Sequence, residues 1–147
     1  MKIVINKAGI GLYKLDCAFV MEYAKRKGIE LYVYKVVCDY GGNYKFTPYK
    51  PDDIIDDLLS LRYFRKPLDK AIFDTLNPDE ESEFRPQEIG RTDPILVALV
   101  EDYSKLIGDE FNLTVVEVPD DVSCYIDHVG CPPFREIVRE NHRVFWA

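Results

Sequence analysis

The chain is poor in the residues that mark most recognisable activities. It has two histidines, one tryptophan and two methionines in 147 residues. Nineteen Lys and Arg face 26 Asp and Glu, giving a net charge of −7. That balance excludes a general DNA or RNA binder, which needs basic surface to release counterions. It also disfavours anionic membranes. No apolar run approaches the ~20 residues that span a bilayer. Lys2 is followed by no long apolar block and no small-residue cleavage site, so no export signal is expected. Cys17, Cys38, Cys124 and Cys131 show no disulfide-framework spacing. Reduced thiols in a cytosol are the expectation.

What is present suffices for a core. Hydrophobic residues make up 47% and aromatics 13%, enough to fold without staples. The length predicts one compact domain over residues 1–147. The expected class is α+β, a mixed or antiparallel sheet packed with about three helices.

The opening, Met1 to Gly11, reads as a short apolar strand ending at Asn6, then a loop with Lys7, Gly9 and Gly11. An amphipathic helix follows from about Asp16 to Lys27, closed by Gly28. A strand–glycine loop–helix junction can present unpaired N–H groups to an anion. The spacing matches neither the dinucleotide fingerprint nor the nucleotide-triphosphate loop, and glycines also simply mark turns.

Glu30 to Asp39 predicts a strand, Gly41-Gly42-Asn43 a turn, and Tyr44 to Thr47 a returning strand. Pro51 opens a second helix on Ile54, Ile55, Leu58, Leu59 and Leu61. Leu68 to Leu76 suits a short helix, and Asn77 to Gln87 an exposed loop. Thr92-Asp93-Pro94 caps a third helix ended by Gly108. Leu113 to Val118 and Val122 to Val129 read as strands. The segment Phe134 to Trp146 fits a hairpin through Gly130-Cys131-Pro132-Pro133, with a helix as the alternative.

Chemistry-bearing patterns are sparse. Cys124, His128, Cys131 and His142 have ligand types that suit zinc, but no knuckle pair of the usual spacing, so no metal and no cofactor is expected. No nucleophile elbow surrounds any serine, and no catalytic residue is assigned. Acid–base work would fall to His142, His128 or a carboxylate. Arg91 beside the helix start at Thr92 is a second anion-binding combination, and His142-Arg143 adds donors. The candidate ligand-binding set is Lys7, Gly9, Gly11, Arg91, Thr92, His142 and Arg143.

The same segments carry a resemblance. Ile3 to Lys7 with its glycine loop, Arg91-Thr92-Asp93-Pro94, Val115 to Val122, and His142-Arg143 resemble a family of small phage and prophage proteins with no described activity. The likeness covers the two ends of the chain. It implies a phage origin and a compact α+β domain, and the expected location is the host cytoplasm. The expected role is an accessory protein that sequesters a small anionic, nucleotide-derived defence signal, as a homo-oligomer. Two alternatives stand beside it: an acidic inhibitor that blocks a basic groove on a host factor, and a small nucleotide-processing enzyme.

Overall fold

The computed structural model describes residues 1–9, 11–12, 15–39, 41–50, 60–108, 111–130, 135–140 and 143–145. In chain order the strands and helices are β1 (Lys2–Asn6), α1 (Cys17–Lys27), β2 (Tyr32–Cys38), β3 (Tyr44–Pro48), β4 (Leu61–Phe64), β5 (Ile72–Phe73), β6 (Glu83–Phe84), α2 (Pro94–Ile107), β7 (Leu113–Glu117), β8 (Tyr125–Val129), β9 (Arg135–Glu140) and β10 (Arg143–Phe145). A 3-10 turn, Pro86–Glu88, precedes α2. The α+β class holds, and every described ladder is antiparallel. The chain divides into two compact units, Met1–Tyr13 with Gln87–Ala147, and Lys14–Pro86.

The discontinuous unit is layered around β1 and β7. These pair from Lys2↔Glu117 to Asn6↔Leu113. Pleating sends successive side chains to opposite faces. Ile3, Ile5, Val116 and Val118 cluster with Val138 of β9, flanked by Cys124 and Ile126. The opposite face receives α2, which buries Leu96, Val97, Leu99 and Val100. The helix forms where the sequence predicts it. Asp93 caps it by accepting from the Ile95 and Leu96 N–H groups, Pro94 occupies the first turn, and Gly108 ends it. The strands β10-β9-β8 form a meander in that order. The expected pairing of Phe134–Trp146 with the preceding strand is present as β8–β9, and Arg143–Phe145 adds a further strand.

The continuous unit is a five-stranded sheet, ordered β5-β3-β2-β4-β6. The β2 strand is central, as its two apolar faces predict. One face carries an aromatic core of Tyr34, Phe46, Phe64 and Phe73. Their rings meet edge to face, Phe46 and Phe73 with centroids 5.4 Å apart. Leu68 packs against this face, and its N–H donates to the Tyr34 hydroxyl at 3.0 Å. The helix α1 buries Phe19, Val20, Tyr23 and Ala24, and Tyr23 lies 6.1 Å from Phe84. Asp16 caps the helix and Gly28 ends it at φ 76°.

Three expectations need correction. Two α-helices, not about three, lie among the described residues. The helix expected from Pro51 falls on residues 51–59, outside the described residues, and its expected end, Leu61, opens β4. Leu68 to Leu76 forms no helix; Ile72–Phe73 instead pairs with β3, because Phe73 fills the aromatic face. Asn77 to Gln87 is not simply an exposed loop. Ser82 and Phe84 are buried, and Glu83–Phe84 pairs with β4.

Candidate functional site

Two of the predicted anion-binding groups converge, and they converge on a carboxylate of the chain itself. Asn6 closes the loop after β1: its Nδ2 donates to the Gly11 carbonyl at 3.1 Å and its Oδ1 accepts from the Ala8 N–H at 3.0 Å. Gly11 takes φ 75°, a conformation that favours glycine. This aims the Gly11 N–H at Glu136 Oε2, 2.8 Å away, while the Asn6 N–H reaches Oε1 at 2.8 Å. The Arg91 guanidinium grips the same carboxylate bidentately, Nη1 to Oε1 at 2.7 Å and Nη2 to Oε2 at 2.9 Å.

Four donors therefore fill the acceptor positions of one carboxylate. The Glu136 side chain is 1% exposed. Burial pushes its carboxyl up, but hydrogen bonds from Arg91, Gly11 and Asn6 and the Arg91 charge outweigh burial and hold it below the ordinary carboxylate range. Such a group stays ionised and is a poor proton acceptor. His128 faces Glu136 across the β8–β9 ladder, with Nε2 3.7 Å from Oε2. That separation is not a hydrogen bond, so no acid–base dyad is formed there.

Arg91 also ties β1 to the segment before α2. Its carbonyl accepts from the Val4 N–H at 2.8 Å, and its Nη1 donates to the Val4 carbonyl at 3.0 Å. The next residue, Thr92, lines an open cleft of about 490 Å³. Pro94, Val97 and Ala98 of α2 give it an apolar floor. Met1, Lys2, Glu101 and Asp120 complete the wall. Lys2 Nζ and Glu101 Oε1, both in its lining, pair at 3.1 Å. This volume and this mix of apolar floor and few polar groups suit a small molecule.

Lys7 and Gly9 lie on the same loop as Gly11. Lys7 is exposed, and its N–H donates to the Asn112 carbonyl at 2.7 Å. A Cβ on Gly9 would sit 3.3 Å from Asn6 Nδ2, so glycine allows the loop to close on Asn6. His142 lies outside the described residues. The backbone of Arg143 pairs opposite Glu140 in β10. Of the zinc-type quartet, Cys124 packs beside the aliphatic core, His128 is exposed, and Cys131 and His142 lie outside the described residues. Among the described residues no group of three or more His, Cys, Asp or Glu could hold a metal.

No protein-family model, no curated protein and no solved structure matches the chain. No helix among the described residues is long and apolar enough to cross a membrane.

Sequence reasoning named Arg91, Gly11 and Thr92 but missed Glu136, Asn6 and Lys2. One signal for Glu136 was available. In a strand it shares a face with Val138, so a buried Val138 carries a glutamate inward. A buried carboxylate requires a partner, and Arg91 with the glycine loop supplied one.

Proposed function

We propose that the protein captures a small anionic, nucleotide-like ligand, and that the cleft between Lys2 and the first turns of α2 is its seat. The supporting observation is the lining of that cleft: an apolar floor of Pro94, Val97 and Ala98 beside Thr92 and Lys2, whose ammonium a phosphate would draw away from its exposed pairing with Glu101. A planar base lies on such a floor, and an ammonium and a hydroxyl suit its phosphate and sugar. The saturated state of Glu136 supports binding over catalysis. The buried carboxylate best placed to attract attention as a base is already committed to four donors. The resemblance of the chain ends to small phage proteins supports a role in an infected cell, where capture would lower the concentration of a defence signal. A homo-oligomer belongs to the same reading.

Calorimetric titration tests it, with nucleoside monophosphates, nucleoside triphosphates and cyclic dinucleotides as probes and light scattering for the oligomer. One class is expected to bind the parent protein and to bind Lys2→Ala and Thr92→Val more weakly. A folded parent protein that binds none of these classes would sink the proposal. Probe turnover, seen by product analysis, would favour the enzyme alternative instead.

A further inference from the structure

The two walls of the cleft come from distant parts of the sequence. Lys2 stands on β1, whereas Thr92, Pro94, Val97, Ala98 and Glu101 stand on α2 or just before it. Two ties join them. One is the Lys2–Glu101 ion pair, whose side chains are 47% and 39% exposed. An exposed pair of this kind holds geometry weakly. The other is Arg91, which engages both the N–H and the carbonyl of Val4, two residues beyond Lys2 on β1. Arg91 in turn is oriented by Glu136, a residue of β9 that lines no part of the cleft.

We infer that Glu136 is a positioning residue for the cleft: by fixing the Arg91 fork it sets the spacing between the β1 wall and the α2 wall. The inference rests on the reading of the cleft as the ligand seat. An arginine side chain has several rotatable bonds, and Val4 alone engages only one of its guanidinium nitrogens. The carboxylate engages two, which fixes the plane of the fork. With the fork fixed, the segment entering α2 has one position relative to β1. A site whose supporting groups are loose loses affinity although every contact residue is still present.

The test uses the full chain with Glu136→Gln and, separately, Arg91→Lys. Glu136→Gln keeps the size but opposes an amide NH₂ to donors. Arg91→Lys keeps the charge but removes the fork. Amide NMR spectra of the ligand-free proteins are compared first, well below their melting temperatures. Shifts are expected at Lys2, Val97 and Ala98, beyond the residues that touch Glu136. Titration with adenosine monophosphate and a cyclic dinucleotide then reads affinity, with a loss of about tenfold expected from misplacement alone. Shifts confined to Asn6, Gly11 and Arg91, or unchanged affinity in a folded variant, would overturn the positioning role. So would loss of fold in both variants, which would make the cluster purely structural. If the parent protein binds neither probe, the ligand reading fails for these probes, while the ligand-free spectra still decide whether Glu136 sets the cleft.

Discussion

Each unit of the chain has its own kind of core. The discontinuous unit has an aliphatic core and, at its margin, a buried carboxylate tied by four donors. The continuous unit has an aromatic core that takes in the Tyr34 hydroxyl, and its buried carboxylate, Glu83, is paired with Arg62 at 2.6 Å and Arg85 at 3.2 Å. The discontinuous unit holds its carboxylate below the ordinary range with backbone N–H groups as well as an arginine fork. The continuous unit adds a buried phenol, Tyr63, that burial keeps neutral. Mutation and pH should tell them apart.

The largest effects come from the centre of each unit. Glu136→Ala leaves the Arg91 guanidinium and the N–H groups of Asn6 and Gly11 without their acceptor. Breaking a buried pair from one side costs roughly 3–5 kcal/mol. Phe64→Ala in the continuous unit removes a side chain that is 0% exposed and packs edge to face with Tyr34 and Phe46. A loss of about 3–5 kcal/mol is expected there too. The double change Arg91→Met with Glu136→Leu separates the two kinds of core. Apolar replacement of an ion pair is often neutral, but here Asn6 and Gly11 would keep two unanswered N–H groups. Urea denaturation should show recovery of only part of the Glu136→Ala loss. Full recovery would mean that the backbone donors find water and that the pair itself is dispensable.

Acid and base come next. The Glu136 carboxyl lies below its ordinary 4.5 when folded. The unfolded chain therefore takes up that proton first as pH falls. Its contribution is fully present above the ordinary value and is lost as pH drops through the lower folded one. Tyr63 shows the reverse. Burial first, then the neighbouring Cys17 to which it is hydrogen-bonded, raise its phenol above the ordinary 10.0. Burial also pushes the Cys17 thiol above 9.0. Stability from these groups is present below their ordinary values and is lost as pH rises beyond them. Amide exchange followed across pH should show the discontinuous unit loosening first in acid and the continuous unit first in alkali. Glu136→Gln should flatten the acid limb, and Tyr63→Phe the alkaline limb. Limbs that respond to neither variant would remove the distinction.

The same contrast explains what the sequence could disclose. Helix α2 was legible because its signals are local: Asp93 and Pro94 at one end, Gly108 at the other, and an apolar stripe between. Strands β2 and β3 were legible from alternation and from the turn at Gly41-Gly42-Asn43. The two-residue strands β5 and β6 carry no periodicity and exist only through pairing with β3 and β4. The anion-binding character of Gly11 and Arg91 was legible as chemistry. Their anion was not, because Glu136 lies 125 residues from Gly11 and looks in sequence like any acidic residue in a charged strand. Donors are written locally, whereas the partner that satisfies them is chosen by the fold.

Smaller effects are expected where the two units use the same device. Each α-helix begins on an aspartate: Asp16 accepts from the Ala18 N–H at 3.0 Å, and Asp93 from the Ile95 N–H at 2.8 Å. Asp16→Ala and Asp93→Ala should each cost about 1 kcal/mol in thermal or urea melts. Asp93 also accepts from Leu96 and should be the costlier of the two. A cap loss several times larger at one helix would mean that its unit leans on that helix start.

The smallest effect returns to the discontinuous unit, where a second ion pair offers an internal control. Lys2 and Glu101 meet at 3.1 Å, close to the Arg91–Glu136 distance, but in solvent. Water screens their attraction, and holding two long side chains costs entropy. A coupling of no more than about 0.5 kcal/mol is expected from the double-mutant cycle of Lys2→Gln and Glu101→Gln. The coupling should shrink further in high salt, whereas the buried pair should respond little. A cycle that returned more than about 1 kcal/mol, beyond the usual exposed pair, would show that the cleft wall is drier than the exposures of its side chains indicate. The boundary between buried and exposed charge would then lie further out and include Lys2.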